Sequence, residues 1–159
     1  MPYNIFLYFI AASILSAILT GIFFSIQKKN IVSIYQQANS QELKNIYGTI
    51  ITESGFLRKN IQFCRFDILI NQHSIFIFPM NFYLIPSRPI HLIFSDSNKV
   101  QTRRSTLLRE FRITRQNIEL VFYPKYLITG NRKVYLKSLS QDQVLILESV
   151  LKDKSTRKY

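Results

Sequence analysis

The chain has 159 residues, 21 Lys and Arg against 9 Asp and Glu, and a formal charge of +12; every charged residue lies at or after Lys28. Setting aside the uncharged N-terminal stretch leaves about 130 residues, room for one compact domain and not for two. The single cysteine, Cys64, excludes an intramolecular disulfide, and Cys64, His73 and His91 lack the short spacing of a zinc centre, so no metal and no cofactor is expected.

The first element runs from Ile5 as IFLYFIAASILSAILTGIFFSI, without a charge. As a helix it rises about 33 Å, enough to cross a hydrocarbon core. Residues 1–27 therefore read as a transmembrane anchor. Met1-Pro2-Tyr3-Asn4 offers no basic n-region, which argues against a cleaved signal peptide. Lys28 and Lys29 follow the span directly and nothing basic precedes it, so the positive-inside rule predicts a cell-membrane protein with its N-terminus outside and its C-terminal domain cytoplasmic. Ser13, Ala17 and Gly21, with Ala12, Ser16 and Thr20 beside them, form a stripe of small side chains that another helix could approach.

Residues 28–45 read as a juxtamembrane helical connector, because Ile31, Ile34, Tyr35 and Ala38 recur at helical spacing among polar residues. The pattern then shortens to strands. IYGTIIT (46–52) precedes a Glu53-Ser54-Gly55 turn. FDILI and SIFIF, separated by Asn71-Gln72-His73, predict a hairpin closed by Pro79. FYLI (82–85), IHLIF (90–94), FRIT (111–114), IELVFY (118–123) and VYL (134–136) complete seven or eight short strands.

The last element changes period: Val144, Leu147, Val150 and Leu151 share a helical face over about 141–152. Ser140 and Gln143 have capping-box spacing, and Leu139 and Val144 can form a hydrophobic staple across the start. Residues 153–159 read as a polar tail. The fold class predicted is thus mainly β with one C-terminal α-helix, a partly open antiparallel β-barrel or sandwich behind an N-terminal transmembrane helix.

The Ile46-Tyr47-Gly48-Thr49 opening, the FDILI/SIFIF hairpin and VYLKSLSQDQVLILESVL (134–151) resemble the pleckstrin-homology-like (PH-like) superfamily, including bacterial PH and GRAM-like domains, over residues 46–152. The Trp usual in that family's final helix is missing, since the chain has none. The resemblance implies an adaptor or interaction domain rather than an enzyme.

Charge is densest at Lys99, Arg103, Arg104, Arg109, Arg112 and Arg115, opposed by Glu110 alone. With Lys28 and Lys29 these are the candidate contacts for an anionic surface, most simply lipid headgroups beside the anchor. Alternation offers a plainer reading, in which Arg112 and Thr114 are the solvated side of a strand that buries Phe111 and Ile113. No catalytic residue is assigned: Cys64 reads as a buried thiol, and the four glycines are isolated, so no phosphate-cradling loop exists. The expectation is a single-pass membrane protein whose cytoplasmic domain lies against an anionic leaflet and meets an unknown protein partner. Nucleic-acid binding or catalysis on the basic face is the alternative, without a recognised nucleic-acid motif in its favour.

Overall fold

A computed structural model describes residues 2–55, 58–95, 105–124 and 130–155, with the side chains of 2–4 and 153–155 left aside. Its elements in chain order are α1 (Pro2–Tyr35), β1 (Gln41–Ser54), β2 (Arg58–Asn71), β3 (Ser74–Asn81), β4 (Ile85–Pro86), β5 (Ile90–Ile93), β6 (Ser105–Thr114), β7 (Asn117–Phe122), β8 (Gly130–Lys137) and α2 (Gln141–Ser155).

The helix α1 is long and apolar enough to cross a membrane, with a mean hydropathy of 2.3. Its side chains from Ile5 to Thr20 are exposed. Ser13 and Thr20 donate their hydroxyls to the carbonyls of Phe9 (2.8 Å) and Ser16 (2.7 Å), so these two polar groups are satisfied within the helix. From Gly21 onward one stripe of the same helix, Gly21, Phe24, Ser25, Lys28, Val32 and Tyr35, becomes partly buried. The spacing of three and four is that of a single helical face.

The strands form a closed seven-stranded barrel in the order β2-β1-β8-β7-β6-β5-β3, sealed by β2 pairing with β3; β4 hangs outside on β3. Of the partly open barrel and the sandwich that the sequence allowed, the chain forms the barrel, and its last pairing closes it. The pairings are antiparallel except β5 with β6, which is parallel. Inward residues of every barrel strand, among them Ile50, Phe66, Ile68, Ile75, Ile77, Leu92, Leu108, Ile118, Leu120, Val134 and Leu136, make one core. Gly48 lets β8 come close, for a Cβ there would lie 1.9 Å from the Tyr135 carbonyl oxygen.

The helix α2 covers one end of the barrel with Val144, Leu147 and Leu151, each fully apolar contact contributing about 1.5–3 kcal/mol. Its start is as predicted. The Gln143 N–H donates to Ser140 Oγ (3.2 Å), and the Ser140 N–H donates to Gln143 Oε1 (3.0 Å). Leu139, buried beside Val144, has its N–H on the Gln116 carbonyl (3.0 Å), which ties the helix entry to the β6–β7 turn.

Three local expectations change. The helical connector predicted over 28–45 stops at Tyr35, and Gln41 to Asn45 are strand, because Gln41 and Glu42 pair with Ile70 and Leu69 of β2. Ser40 turns the chain between them by accepting the Gln37 N–H at 2.7 Å. Pro79 does not end its strand but sits inside β3 opposite Phe66. It is tolerated because β5 has ended by then, so the missing N–H faces no ladder partner. FYLI is not a strand: Phe82 to Leu84 form a turn with positive φ at Phe82 (49°) and Tyr83 (65°).

Candidate functional site

Two features of the fold place chemistry: how α1 is joined to the barrel, and what stands at the barrel end that no helix covers among the described residues, called the uncovered end below. The join is built around Asp67. Between Leu43 and Ile46 the ladder of β1 with β2 carries a bulge, two residues of β1 facing Asp67 alone. Asn45 takes the left-handed φ of 59° that such a bulge requires and is held there by donating its N–H to Asp67 Oδ1 (3.0 Å). The other carboxylate oxygen receives Lys28 Nζ from α1 at 2.5 Å. That ammonium also stands 5.5 Å from the centre of the Phe78 ring. Around this pair Leu69, Phe76 and Phe78, the outward residues of β2 and β3, pack against Ile31, Val32 and Tyr35. Farther along, Asn71 donates to the Tyr35 carbonyl (3.0 Å) and accepts the Ser40 hydroxyl (2.6 Å), closing the end of the helix.

His91 belongs to the same layer. It points away from the barrel interior, as alternation predicts, yet it is not in solvent. Its ring stacks on Phe76 at 4.0 Å with Tyr35 beside it, and burial pushes its pKa down to about 4. His73, in contrast, is exposed in the two-residue turn between β2 and β3.

The pairing registers fix which end faces which way. The turn from β2 to β3, the turn from β6 to β7 and the start of α2 share the covered end. The hairpin tip at Ser54 and Arg58, the end of β3 at Asn81, β4 and the start of β8 share the opposite end. That uncovered end lies beside the apolar run of α1, because β4 packs on the helix and Pro86 Cδ is 3.8 Å from where a Gly21 Cβ would be. Gly21, the last of the small residues noted in the sequence, therefore faces the chain's own barrel.

The uncovered end is basic. Arg58, Lys59 and Arg88 are exposed, and Arg132 and Lys133 are half-buried there. Among the described residues Glu53 is the acid beside them, with Lys133 at 3.5 Å and Lys59 as its neighbour across the ladder. Arg88 and Arg132 line one cleft of about 50 Å³ together with His91 and Thr106. A cleft that small holds a water or two and not a phosphorylated headgroup. A larger cleft of about 420 Å³ lies at the covered end, bordered by Gln37, Gln41, Asn71, Gln72 and Val150, and none of the described residues lining it is charged.

The residues predicted from sequence are dispersed in the fold. Lys28 is engaged by Asp67, while Lys29 beside it is exposed. Arg109 is the extra residue of a bulge in β6. Arg112 faces outward opposite Glu119, itself bonded to the Tyr135 hydroxyl at 2.7 Å, and Phe111 and Ile113 pack inward, the alternation of the plainer reading. Arg115 is in the β6–β7 turn at the covered end. Lys99, Arg103 and Arg104 lie outside the described residues. No pattern along the chain groups Arg58, Arg88, Arg132 and Lys133, because strands and loops far apart in the sequence deliver them to one end.

Cys64 is buried with its thiol 3.4 Å from Asn81 Oδ1, and burial raises its pKa to about 11 despite the nearby Arg132. A thiol protonated at neutral pH is a poor nucleophile. Among the described residues no three His, Cys, Asp or Glu side chains gather as metal ligands. No protein-family model, curated protein or solved structure matches this chain.

Proposed function

We propose that this is a single-pass membrane protein whose α1 crosses the bilayer with its N-terminus outside, and whose PH-like cytoplasmic barrel serves as a non-enzymatic adaptor held against the anionic leaflet. The observation that carries this is the continuity of α1. One unbroken helix leaves the apolar run and becomes part of the barrel's packing, so the basic end is held toward the headgroups by the Lys28–Asp67 pair and its apolar surroundings. A flexible tether would leave orientation to chance. Seven barrel strands followed by a single covering helix support the PH-like and GRAM-like reading.

Lys29, Arg58, Lys59 and Arg88 are the proposed lipid contacts, each contributing about 1 kcal/mol near an anionic surface. The small basic cleft favours a diffuse electrostatic contact over recognition of one headgroup. The larger cleft at the covered end, lined by amide and apolar side chains, faces the cytoplasm in this arrangement and is available to a protein partner.

The test uses the full chain in nanodiscs of neutral lipid or of lipid containing phosphatidylserine, followed by amide hydrogen exchange. Residues 58–60 and 87–89 should be protected in anionic discs, less so at high salt, and Arg88→Glu should remove much of the difference. Equal exchange in both lipids would end the anionic-contact reading.

A further inference from the structure

We propose that the turn Phe82–Ile85 is a second membrane-inserting element, entering the lipid leaflet beside α1 with Phe82 and Leu84 as its buried tips. Phe82 is 74% exposed and Leu84 79%, with Ile85 at 42% and Tyr83 at 40%. Four consecutive large apolar residues at a turn are costly in water, since turns ordinarily carry polar residues. The ring of Tyr83 leans on Tyr47 at 5.6 Å, which aims its neighbours outward.

Position supplies the occupant. Pro86, directly after the turn, packs beside α1 at Gly21. Gly21 lies five residues before Ile26, where the apolar run ends, a rise of about 7 Å along the helix. Interfacial elements bury their apolar faces about 5–10 Å into the boundary between headgroups and acyl chains. The turn thus stands at the depth such an element occupies, continuous with the lipid-facing surface of α1, and Arg88 follows it on the headgroup side.

The backbone is prepared for a dry setting. The N–H of Phe82 donates to the Phe63 carbonyl (3.1 Å), that of Tyr83 to Met80 (3.2 Å), that of Leu84 to Asn81 (3.1 Å) and that of Ser87 to Pro79 (2.9 Å). Ile85 pairs with Asn81 in the β3–β4 ladder, and Pro86 has no N–H to satisfy. Lipid does not tolerate unpaired donors, and from Phe82 to Ser87 each backbone N–H is taken up by β2, within the turn or in the β3–β4 ladder. Two successive aromatic residues at positive φ are an unfavourable backbone choice, retained here where it projects apolar side chains beside the helix.

This inference rests on α1 crossing the bilayer, and the test separates the two. The chain contains no Trp, so single substitutions give unambiguous fluorescence. Leu84→Trp, Ile14→Trp in the apolar run and Leu145→Trp on exposed α2 are each placed in the full chain and reconstituted in vesicles carrying chain-brominated lipid. Leu84→Trp should be quenched about twofold by lipid brominated near the headgroup, Ile14→Trp by deeper bromines, and Leu145→Trp by neither. Quenching of Ile14→Trp without Leu84→Trp would overturn the insertion and leave the span standing. Quenching of neither would remove both. A Leu84→Trp shielded from bromolipid and from aqueous iodide alike would mean that another protein copy covers the turn, and would also overturn the proposal.

Discussion

The hairpin β2–β3 and the hairpin β6–β7 are both antiparallel pairs in the wall of one barrel, yet they meet different surroundings on their outer faces. Behind β2 and β3 lies α1, so Asp67, Leu69, Phe76 and Phe78 outside the barrel are nearly as enclosed as Ile68, Leu92 and Ile77 inside it. Arg112 and Thr114 on β6 face solvent. The difference is written in the sequence as a loss of alternation: SIFIF is apolar at adjacent positions, while FRIT alternates. A strand covered on both faces has no polar side to show.

Substitutions on the two faces should therefore differ sharply. Phe76→Ala, which empties the space between barrel and helix, should cost about 3 kcal/mol in denaturant unfolding of the full chain in mild detergent. Asp67→Ala should cost about 2 kcal/mol, since it strands the half-buried Lys28 and removes the acceptor for the Asn45 N–H. If either behaves like a surface change, the packing of α1 against the barrel is wrong.

The covered face should also respond to acid. His91 is held below its ordinary pKa of 6.5, at about 4. Between those values the unfolded chain binds a proton that the folded one refuses, so stability falls as pH drops from 6.5 toward 4 and is unaffected by this group above 6.5. His91→Phe should keep the stack on Phe76 and flatten that part of a stability profile. The smallest effect belongs to the open face: Arg112→Ala should stay within about 0.5 kcal/mol of the parent, because its neighbour Glu119 already has the Tyr135 hydroxyl.

Much of the covered end is legible in the sequence. Ser140 and Gln143 announce the start of α2 because a capping box is a contact between residues three apart, and Val144, Leu147 and Leu151 announce its buried face for the same local reason. The turn at Phe82 misled, since FYLI has the composition of a strand and only the chain's obligation to return past Pro86 to β5 bends it. The bulge at Asn45 and the interior position of Pro79 were hidden likewise, both being settled by what the neighbouring strand does.

The site was less legible than the fold. Lys28 and Lys29 look alike in sequence, but helical rotation turns one to Asp67 and leaves the other exposed. The run from Lys99 to Arg115 is dense along the chain, but its described members spread along β6 toward the covered end, while Arg88 and Arg132 line one cleft at the other end, which they share with Arg58.

By itself the sequence determined what depends on neighbours along the chain: a charge-free helix long enough to cross a membrane, strands set by alternation, and a capped final helix. Only the tertiary structure decided that the helix continues into the barrel wall, that β2 and β3 close the barrel while β5 and β6 run parallel, and which basic and apolar side chains share the end beside the helix. Local geometry is fixed by periods of two and 3.6 residues. Strand closure and helix docking join residues tens of positions apart, and no periodicity carries that information.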